Sequence, residues 1–404
     1  MSWARELARA LARTSAGRRR ASEVSRGRPT DPRRSTIPRH PLFALAAALP
    51  LATAPLAAVE PLPAKELEVV ELTAGVYAAT WKDPLQDPIE GNSLFIVNDE
   101  DVVVVDTALM PSTTRRLIDE LRKLTDKPVR YVINTHWHDD HHDGNYLYRE
   151  LWPDVAIVSH VATRANILEY TYKPRPAILE EYKQIVARYT RWSESGLDDE
   201  GKPLVERRRK RAGELVALYS SWIIEFSSMR EMPPDLTFTD QLVLRRGERT
   251  IEVRWLGRGN TAGDVVVFLP AERIVATGDL LVDPVPFMFG SYYAEWIETL
   301  AAVDALAADV LVPGHGPVLR DREYLYTVQD LLRAVVAETR KAAEEGLTLE
   351  QTKERITLPE WRARFVGADE RRGPAFDSFV LAPAIERAWR QAKGEDPPEG
   401  RVDG

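Results

Sequence analysis

The stretch NTHWHDDHHDGN, residues 134–145, places four of the seven histidines of the chain within seven residues. His136 and His138 are separated by a single residue, and Asp140 and His141 follow closely. Imidazole and carboxylate groups at this spacing indicate a site for metal ions, with a charged loop formed by chance as the alternative. Because four side chains in one turn cannot complete a coordination sphere alone, a metal site needs further ligands from elsewhere in the chain.

The segments before this stretch alternate between strand and helix patterns. Ser93–Val97 and Val102–Val105 are apolar runs joined by a polar turn, which is typical of a hairpin of buried strands. Apolar residues at helical spacing follow over Thr113–Leu124, and Val129–Ile133 is a further apolar strand that ends directly before the histidine cluster. This order predicts an α/β fold whose functional site lies beyond the carboxyl ends of the strands.

Asp279 and His315 are the candidates for the missing ligands. Each follows an apolar strand pattern and stands beside glycine, in TGD at 277–279 and in GHG at 314–316. Small neighbours let the backbone approach a metal ion closely. Either motif alone is a weak signal, but their order after the histidine cluster makes each of them stronger.

The other parts of the chain combine a helical insertion, further strands and a helical tail. Two runs with apolar residues three and four positions apart predict a helical hairpin at about residues 165–232, whose aromatic face either packs in the core or covers the substrate. Strand patterns resume at Leu236–Leu244 and at Ile251–Trp255. Residues 322–393 have helical periodicity, and residues 394–404 are expected to fray.

Residues 1–58 differ from the rest of the chain in charge and hydropathy. They contain 11 arginines and three acidic residues, a net charge of +8, so the rest of the chain carries −16 within a total of −8. Basic residues precede an uncharged apolar run over 41–59, which is the order of a secretory signal peptide. This leader predicts a periplasmic or secreted protein, and Pro50 and Pro55 inside the run argue against a membrane-spanning helix.

Composition limits the function further. The chain of 404 residues contains no cysteine, which excludes disulfides, thiolate metal ligands and a cysteine nucleophile. The acidic body repels phosphate backbones, so nucleic acid is not an expected partner. The expected partner is a small-molecule substrate, and nothing in the sequence indicates an oligomeric state.

The histidine cluster and four other motifs together resemble the metallo-β-lactamase superfamily. The resemblance extends over residues 91–317 apart from the inserted helices, and the five motifs occur in the order of that family. It implies an αββα sandwich over residues 59–321 with metal ions at one edge and the helical insertion, followed by a helical C-terminal extension over 322–404. The matching residues are Asp106 with Thr107, then His136, His138, Asp140 and His141, then the run from Gly257 to Asp264, and finally Asp279 and His315.

One position departs from the family pattern. The third motif of most members reads G-x-G-H-T-x-G-D, whereas Asn260 stands here in place of the histidine. Two zinc ions are expected from the resemblance, with Mn²⁺ or Fe²⁺ favoured at a site where an amide replaces an imidazole. Asn260 is then a weak or water-mediated ligand; the alternatives are a single remaining ion or a metal-poor binding protein. The implied first site is His136, His138, Asp279 and a hydroxide near Asn260, and the implied second site is Asp140, His141, His315 and Asp279.

The resemblance implies a hydrolase. Two metal ions that share a water would produce hydroxide at neutral pH, and Asp140 would orient it and take part in proton transfer. Asp106 would fix the metal loop from behind. The expected substrate is a carbonyl compound, in particular a cyclic amide or ester such as a β-lactam or a lactone. The alternatives are a glyoxalase II-like thioesterase and a non-catalytic binding protein that lost turnover with the histidine.

An aromatic-rich segment follows Asp279 and is the candidate wall of a substrate pocket. Apolar pockets of enzymes are lined mainly by aromatic and aliphatic side chains, and ordinary core packing is the alternative for such residues. The pocket candidates are Phe287, Phe289, Tyr292 and Trp296.

Overall fold

The computed structural model describes residues 65–399, which form two β-sheets packed between layers of helices. The predicted leader at 1–58 lies outside the described residues, so the leader and the exported location stay predictions. The seven-stranded sheet has the order β1 to β7, and the five-stranded sheet has the order β12, β11, β10, β9, β8. The strands are β1 Leu67–Thr73, β2 Val76–Trp81, β3 Ser93–Val97, β4 Val102–Val105, β5 Val129–Ile133, β6 Ala156–His160, β7 Leu236–Phe238, β8 Gln241–Arg246, β9 Arg249–Trp255, β10 Val265–Leu269, β11 Ile274–Val282 and β12 Val310–His315.

Parallel pairing brings the motif residues to one edge of each sheet. β4 and β5 are parallel in the first sheet, and β11 and β12 are parallel in the second. The carboxyl ends of parallel neighbours lie at the same edge, and these are the ends that carry the polar motifs. Asn92 joins the two edges, because its side-chain amide donates to the carbonyl oxygens of Pro313 and Gly316.

Branched apolar side chains fill the space between the two sheets. Val102–Val105 and Val265–Leu269 are buried along their whole length. Both faces of these strands are covered, so they are continuous apolar runs rather than alternating ones. Ile133, Val253 and Val312 belong to the same cluster, and burial of each such side chain contributes about 1.5–3 kcal/mol.

Helices cover the outer face of each sheet, which confirms the predicted αββα sandwich with a helical insertion and a helical extension. Within residues 65–399 the structure contains no helix long and apolar enough to cross a membrane. The α-helices are Pro111–Leu124, Asp139–His142, Asn145–Leu151, Val161–Asn166, Arg175–Ser195, Glu206–Ser228, Tyr293–Ala305, Glu323–Glu344, Leu349–Arg355, Pro359–Val366, Arg372–Phe376 and Ala382–Ala392, with π-helical turns at Ile167–Tyr172 and Asp377–Leu381.

The inserted helices begin at Val161, directly after β6, and end at Ser228. Their apolar face packs into a cluster that also contains Ile89, Met110 and Phe379. The aromatic side chains of the insertion are therefore part of a core, and this core lies behind the wall of the site described below.

The structure corrects the single strand pattern predicted over Leu236–Leu244. The chain leaves the first sheet after β7, which pairs with β6, and enters the second sheet at β8, which pairs with β9. Thr239 and Asp240 make the crossing. Both sheets turn apolar residues towards the same interior, so the hydrophobic pattern does not reveal the change of sheet.

Candidate metal centre

Six buried side chains form two adjacent groups at the joined edges of the sheets. His136, His138 and Asp279 make the first group, and Asp140, His141 and His315 make the second. Within each group, one nitrogen or oxygen atom from every member lies within 4.8 Å of the others. The structure thus brings together the residues that the sequence divides between two implied metal sites.

The carboxylate of Asp279 lies between the two groups. Its Oδ2 is 3.4 Å from Nε2 of His136 and 3.5 Å from Nδ1 of His138. Its Oδ1 is 3.2 Å from Nε2 of His141 and 3.5 Å from Nε2 of His315. One oxygen of Asp279 therefore faces each group, which is the arrangement of a bridging ligand.

Local backbone structure explains how these side chains meet. His136 and His138 follow the end of β5, Asp140 and His141 lie in the short helix Asp139–His142, and His315 ends β12. Asp279 lies within β11, where the pairing with β12 shifts register around Gly278. Gly314 has to lack a side chain, because a Cβ there would lie 2.0 Å from Oδ1 of Asp279.

Asp106 supports the metal loop from behind, as the resemblance implies. Its Oδ1 accepts the backbone N–H of Thr135 at 2.8 Å, and its Oδ2 accepts the Thr135 hydroxyl at 2.7 Å. The same Oδ2 lies 2.8 Å from Nδ1 of His141. This contact fixes the tautomer of His141 that leaves Nε2 free for a metal ion.

Burial and opposite charges set the protonation of the two groups. Burial alone would raise the pKa of Asp279, but the imidazoles of His141, His136 and His315 outweigh it and hold this pKa well below 3.8. Burial lowers the pKa of His136 to about 3, so this ring is neutral at pH 7. Burial opposes protonation of His141 as well, yet Asp140, Asp279 and Asp106 raise its pKa well above 6.5. A metal ion has to displace that proton, so metal affinity rises with pH.

The donor set fits divalent cations. Imidazole nitrogens with carboxylate oxygens are ligands that zinc accepts, and related ions such as Mn²⁺ and Fe²⁺ also accept oxygen donors. Among the described residues, Oδ1 of Asp279 and Oδ1 of Asn260 are buried atoms that accept no hydrogen bond. Buried polar atoms are normally satisfied, and coordination of a cation would satisfy both of these oxygens.

Asn260 is connected to the first group through Phe287. It is fully buried in the loop between β9 and β10, and its side-chain nitrogen donates to the carbonyl oxygen of Phe287. The ring of Phe287 in turn contacts the ring of His138, with centroids 5.2 Å apart. Phe287 thus contacts both Asn260 and His138, and the amide oxygen of Asn260 has no hydrogen-bond partner among the described residues.

A cavity opens above the two groups. Asp140, His138, Asp279 and His315 form its floor, and apolar side chains form most of its walls. The lining residues beyond that floor are Pro84, Leu85, Ile89, Trp137, Asp139, Thr171, Val282, Asp283, Pro284, Val285, Phe287 and Phe379.

Only Phe287 of the four predicted pocket residues lines this cavity. Phe289 packs against Phe287 from behind, with ring centroids 4.7 Å apart. Trp296 is buried in the core under the second sheet, and Tyr292 lies against the guanidinium of Arg258. These three predicted pocket residues are absent from the lining of this cavity, and Trp296 is directed into the core because it lies on the buried face of the helix Tyr293–Ala305.

Eleven of the lining residues were not predicted from the sequence, among them Trp137, Leu85 and Phe379. Trp137 lies between His136 and His138 in the sequence. This alternation is the sequence signal that its side chain points in a different direction from the two imidazoles. Leu85 and Phe379 come from the loop after β2 and from the C-terminal extension. No local pattern marks those two positions, since only the tertiary fold brings them to the site.

His142 and His160 take no part in either group. His142 is fully buried, and its Nε2 lies 3.0 Å from the carbonyl oxygen of Trp137. His160 accepts the backbone N–H of Ala162 at the start of a helix and stacks on Trp255 with an interplanar angle of 7°. Both histidines therefore have structural partners.

Asp106→Asn is expected to lower metal affinity by ~10–100-fold, the range for the loss of a group that orients a ligand. An amide nitrogen facing Nδ1 of His141 would oppose the tautomer that ligates through Nε2. The matched control is Asp101→Asn, since Asp101 is equally buried at the other end of β4 but pairs with Arg246. The zinc affinity of each variant is measured by competition of the metal-free protein with a chromogenic zinc chelator. Equal metal affinities in the two variants would show that Asp106 does not support the metal centre.

Comparison with known proteins relates the whole arrangement to one family. The model of the metallo-β-lactamase superfamily matches residues 87–315. A linear primary-alkylsulfatase from Pseudomonas sp. (strain ATCC 19151) is 26% identical over 285 residues, which is 64% of this chain and 48% of that protein. The chain thus spans about half the length of this curated relative.

Two solved structures illustrate the likeness in fold. A metallo-β-lactamase from Pontibacter korlensis superposes with a TM-score of 0.46 at 20% identity, covering 66% of this chain and 99% of that one. The metallo-β-lactamase FIM-1 from Pseudomonas aeruginosa, in its mono-zinc form, has a TM-score of 0.43 at 17% identity and covers 66% and 95%. The family match spans more than half of the chain and includes all six residues of the two groups. The chain belongs to the metallo-β-lactamase superfamily.

Proposed function

We propose that the protein is a metal-dependent hydrolase of uncharged esters with an apolar flank, including cyclic esters and amides. A lactone suits this description better than a β-lactam does. The observation that carries the proposal is the cavity above the two metal groups: its described lining combines apolar walls with four carboxylates and includes no lysine or arginine.

The walls suit a hydrocarbon part of the substrate. Leu85, Ile89, Val285, Phe287 and Phe379 surround the space away from the metal groups. Apolar area removed from water contributes roughly 25 cal/mol per Å², so a substrate gains affinity from an alkyl or ring portion placed here. A polar headgroup such as a peptide or a sugar would find few partners in these walls.

Away from the metal ions, the side-chain charges of the lining weigh against an anionic substituent. Asp139, Asp140, Asp279 and Asp283 all line the cavity. A carboxylate beside the scissile bond, as in penicillins and cephalosporins, would enter this space without a cationic side chain from the lining. Glutathione thioesters carry two carboxylates and meet the same difficulty. Burying a charge without its partner costs about 3 kcal/mol or more.

The residues of the two groups have separate roles in the reaction. Bound metal ions would supply a water of pKa ~7 in place of ~15.7 and polarise the ester oxygen. Asp140 lines the cavity floor, with its Oδ2 3.1 Å from Nε2 of His315, and this position supports the proposal that it orients the water and accepts its proton. His141 is held by Asp106, and Phe287 with Trp137 keeps bulk water from one side of the floor.

A second candidate is hydrolysis of alkyl sulfate esters. The curated relative is a linear primary-alkylsulfatase, and the apolar walls would accept an alkyl chain equally well. The metal ions alone would then compensate the negative charge of the sulfate group, because the described lining offers no cationic side chain.

A panel of substrates tests the proposal. The purified zinc-loaded protein is assayed with a p-nitrophenyl acyl ester, a lactone, a chromogenic cephalosporin, a glutathione thioester and dodecyl sulfate. We expect kcat/KM for the neutral ester or lactone to exceed that for the cephalosporin by ~100-fold, the factor for one unpaired buried charge. A chelator should abolish the activity, and zinc should restore it.

Each other outcome has a meaning of its own. Preference for dodecyl sulfate favours the second candidate, and preference for the cephalosporin or the thioester contradicts the charge argument. Activity that survives the chelator contradicts a metal-dependent mechanism. Metal binding without turnover of any of the five compounds favours the non-catalytic binding protein.

A further inference from the structure

The last described part of the chain, residues 394–399, lies against the metal loop. Fraying was predicted for 394–404, and for residues 394–399 this prediction is wrong. Asp396 pairs with Arg258 in the loop after β9, and the carbonyl of Pro398 accepts a hydrogen bond from Arg387. Glu399, which follows, is only 4% exposed.

The carboxylate of Glu399 accepts hydrogen bonds from three different parts of the fold. Its Oε2 lies 2.6 Å from the indole nitrogen of Trp137 and 2.7 Å from the side-chain nitrogen of Asn166. Its Oε1 lies 2.6 Å from the backbone nitrogen of Ala262. The hydroxyl of Tyr292 is a further hydrogen-bond partner. A buried carboxylate with this many donors holds each of them in place, because an unsatisfied buried charge is strongly unfavourable.

Two of these donors belong to the loops of the first metal group. Trp137 stands between His136 and His138, and its ring contacts the ring of His138 with centroids 4.7 Å apart. Ala262 is two residues after Asn260 in the third motif. None of the contacts made by Glu399 involves Asp140, His141 or His315.

We propose that Glu399 is a positioning residue that holds Trp137 and the Asn260 loop in the geometry required by the first metal group. It acts through Trp137 and Ala262 and contacts no proposed ligand itself. The consequence is selective: Glu399 sets the metal affinity of the group of His136, His138 and Asp279, and leaves that of the second group unchanged. This inference does not depend on which ester the protein hydrolyses.

The test compares Glu399→Ala with Glu395→Ala in the full chain. Glu395 is in the same segment but half-exposed, and its carboxylate has one distant partner, 3.9 Å away on Arg390. Zinc alone is titrated calorimetrically into the metal-free proteins, at a temperature where circular dichroism shows each variant to be folded. We expect Glu399→Ala to weaken one binding event by at least ~10-fold, the lower end for a group outside the ligand set. Glu395→Ala should match the parent.

A role limited to general stability would give a different result. It would lower the unfolding temperature of Glu399→Ala while both zinc affinities of the folded protein stay as in the parent, which would overturn the proposal. An equal fall in both affinities would also overturn it, since the effect would not be selective. If the parent shows a single binding event, that event belongs to the second group, and Glu399→Ala is then compared in the Asn260→His background, where the added imidazole strengthens the first group. The additional event must weaken by the same ~10-fold for the proposal to stand.

Coupling to Trp137 supplies a second, independent measurement. Trp137→Phe keeps an aromatic ring beside His138 but removes the indole N–H that Glu399 accepts. If Glu399 acts through Trp137, the effects of the two substitutions on zinc affinity are not additive, and the double variant loses less than the product of the single losses. Fully additive losses would show that Glu399 does not act through the indole and would overturn this part of the proposal.

Discussion

Replacement of Asp279 by alanine is expected to remove metal ions and activity together. Asp279 faces both groups, with Oδ2 towards His136 and His138 and Oδ1 towards His141 and His315. Its loss takes a ligand from both groups at once. It also leaves four imidazoles close together without the carboxylate that compensates a bound cation.

The expected loss of metal affinity exceeds ~100-fold, the upper end for changes to groups that only orient ligands. The matched control is Asp283→Ala, which removes a carboxylate from the same cavity wall but belongs to neither group. Metal content after dialysis, measured by mass spectrometry, and turnover of the best substrate from the panel are compared for both variants. An Asp279→Ala protein with two bound ions and unchanged kcat would show that this carboxylate does not bridge the groups.

The predictable part of the site is the part that lies at the ends of strands. His136, Asp279 and His315 are each marked as a polar residue that interrupts or follows an apolar strand pattern, and this is visible in the sequence. The strand edges then bring such residues together by topology alone, because parallel neighbours end at the same edge. The division into two groups followed from the resemblance and agrees with the distances.

The part that could not be predicted depends on contacts between distant segments. Glu399 reaches Trp137 across more than 250 residues of sequence, and Phe379 reaches the cavity from the C-terminal extension. A charged residue beside prolines near the end of a chain has the composition of a disordered tail. Its burial becomes evident only when the helix Ala382–Ala392 directs the following residues back to the metal loop.

The error over the pocket residues has a related cause. Closeness in sequence to Asp279 suggested that Tyr292 and Trp296 line the substrate space. A helix starts at Tyr293, however, and its buried face packs on the second sheet rather than on the cavity. The helix or strand in which a residue lies sets the direction of its side chain. Tyr292 and Trp296 lie at the start of a helix, and sequence patterns are least reliable at such boundaries.

Replacement of Asn260 by histidine is expected to strengthen the weaker metal site. The first group offers nitrogen atoms of His136 and His138 and one oxygen of the shared Asp279, which is fewer ligands than tetrahedral zinc requires. The amide oxygen of Asn260 is buried nearby and accepts no hydrogen bond from the described residues, but it is a weaker donor to zinc than an imidazole. The first group should therefore bind zinc less tightly than the second.

The surroundings of Asn260 suit a ligating histidine. The carbonyl oxygen of Phe287, which now accepts the amide N–H₂ of Asn260, is the kind of partner to which metal-bound histidines donate their other ring N–H. That contact would orient a new imidazole with its second nitrogen towards His136 and His138. Asn260→His should consequently raise the weaker zinc affinity by ~10–100-fold or more, since a ligand changes affinity at least as much as a group that orients one.

Calorimetric titration of zinc and of Mn²⁺ into the metal-free parent, Asn260→His and Asn260→Ala gives the answer. The histidine variant should gain zinc affinity relative to Mn²⁺, because imidazole favours zinc whereas an amide oxygen suits harder ions. Asn260→Ala serves as the matched control. It lowers the weaker zinc affinity if the amide oxygen coordinates the ion, and it leaves that affinity unchanged if the oxygen does not. A histidine variant that binds its second ion no more tightly than the parent would mean that position 260 does not face the first group.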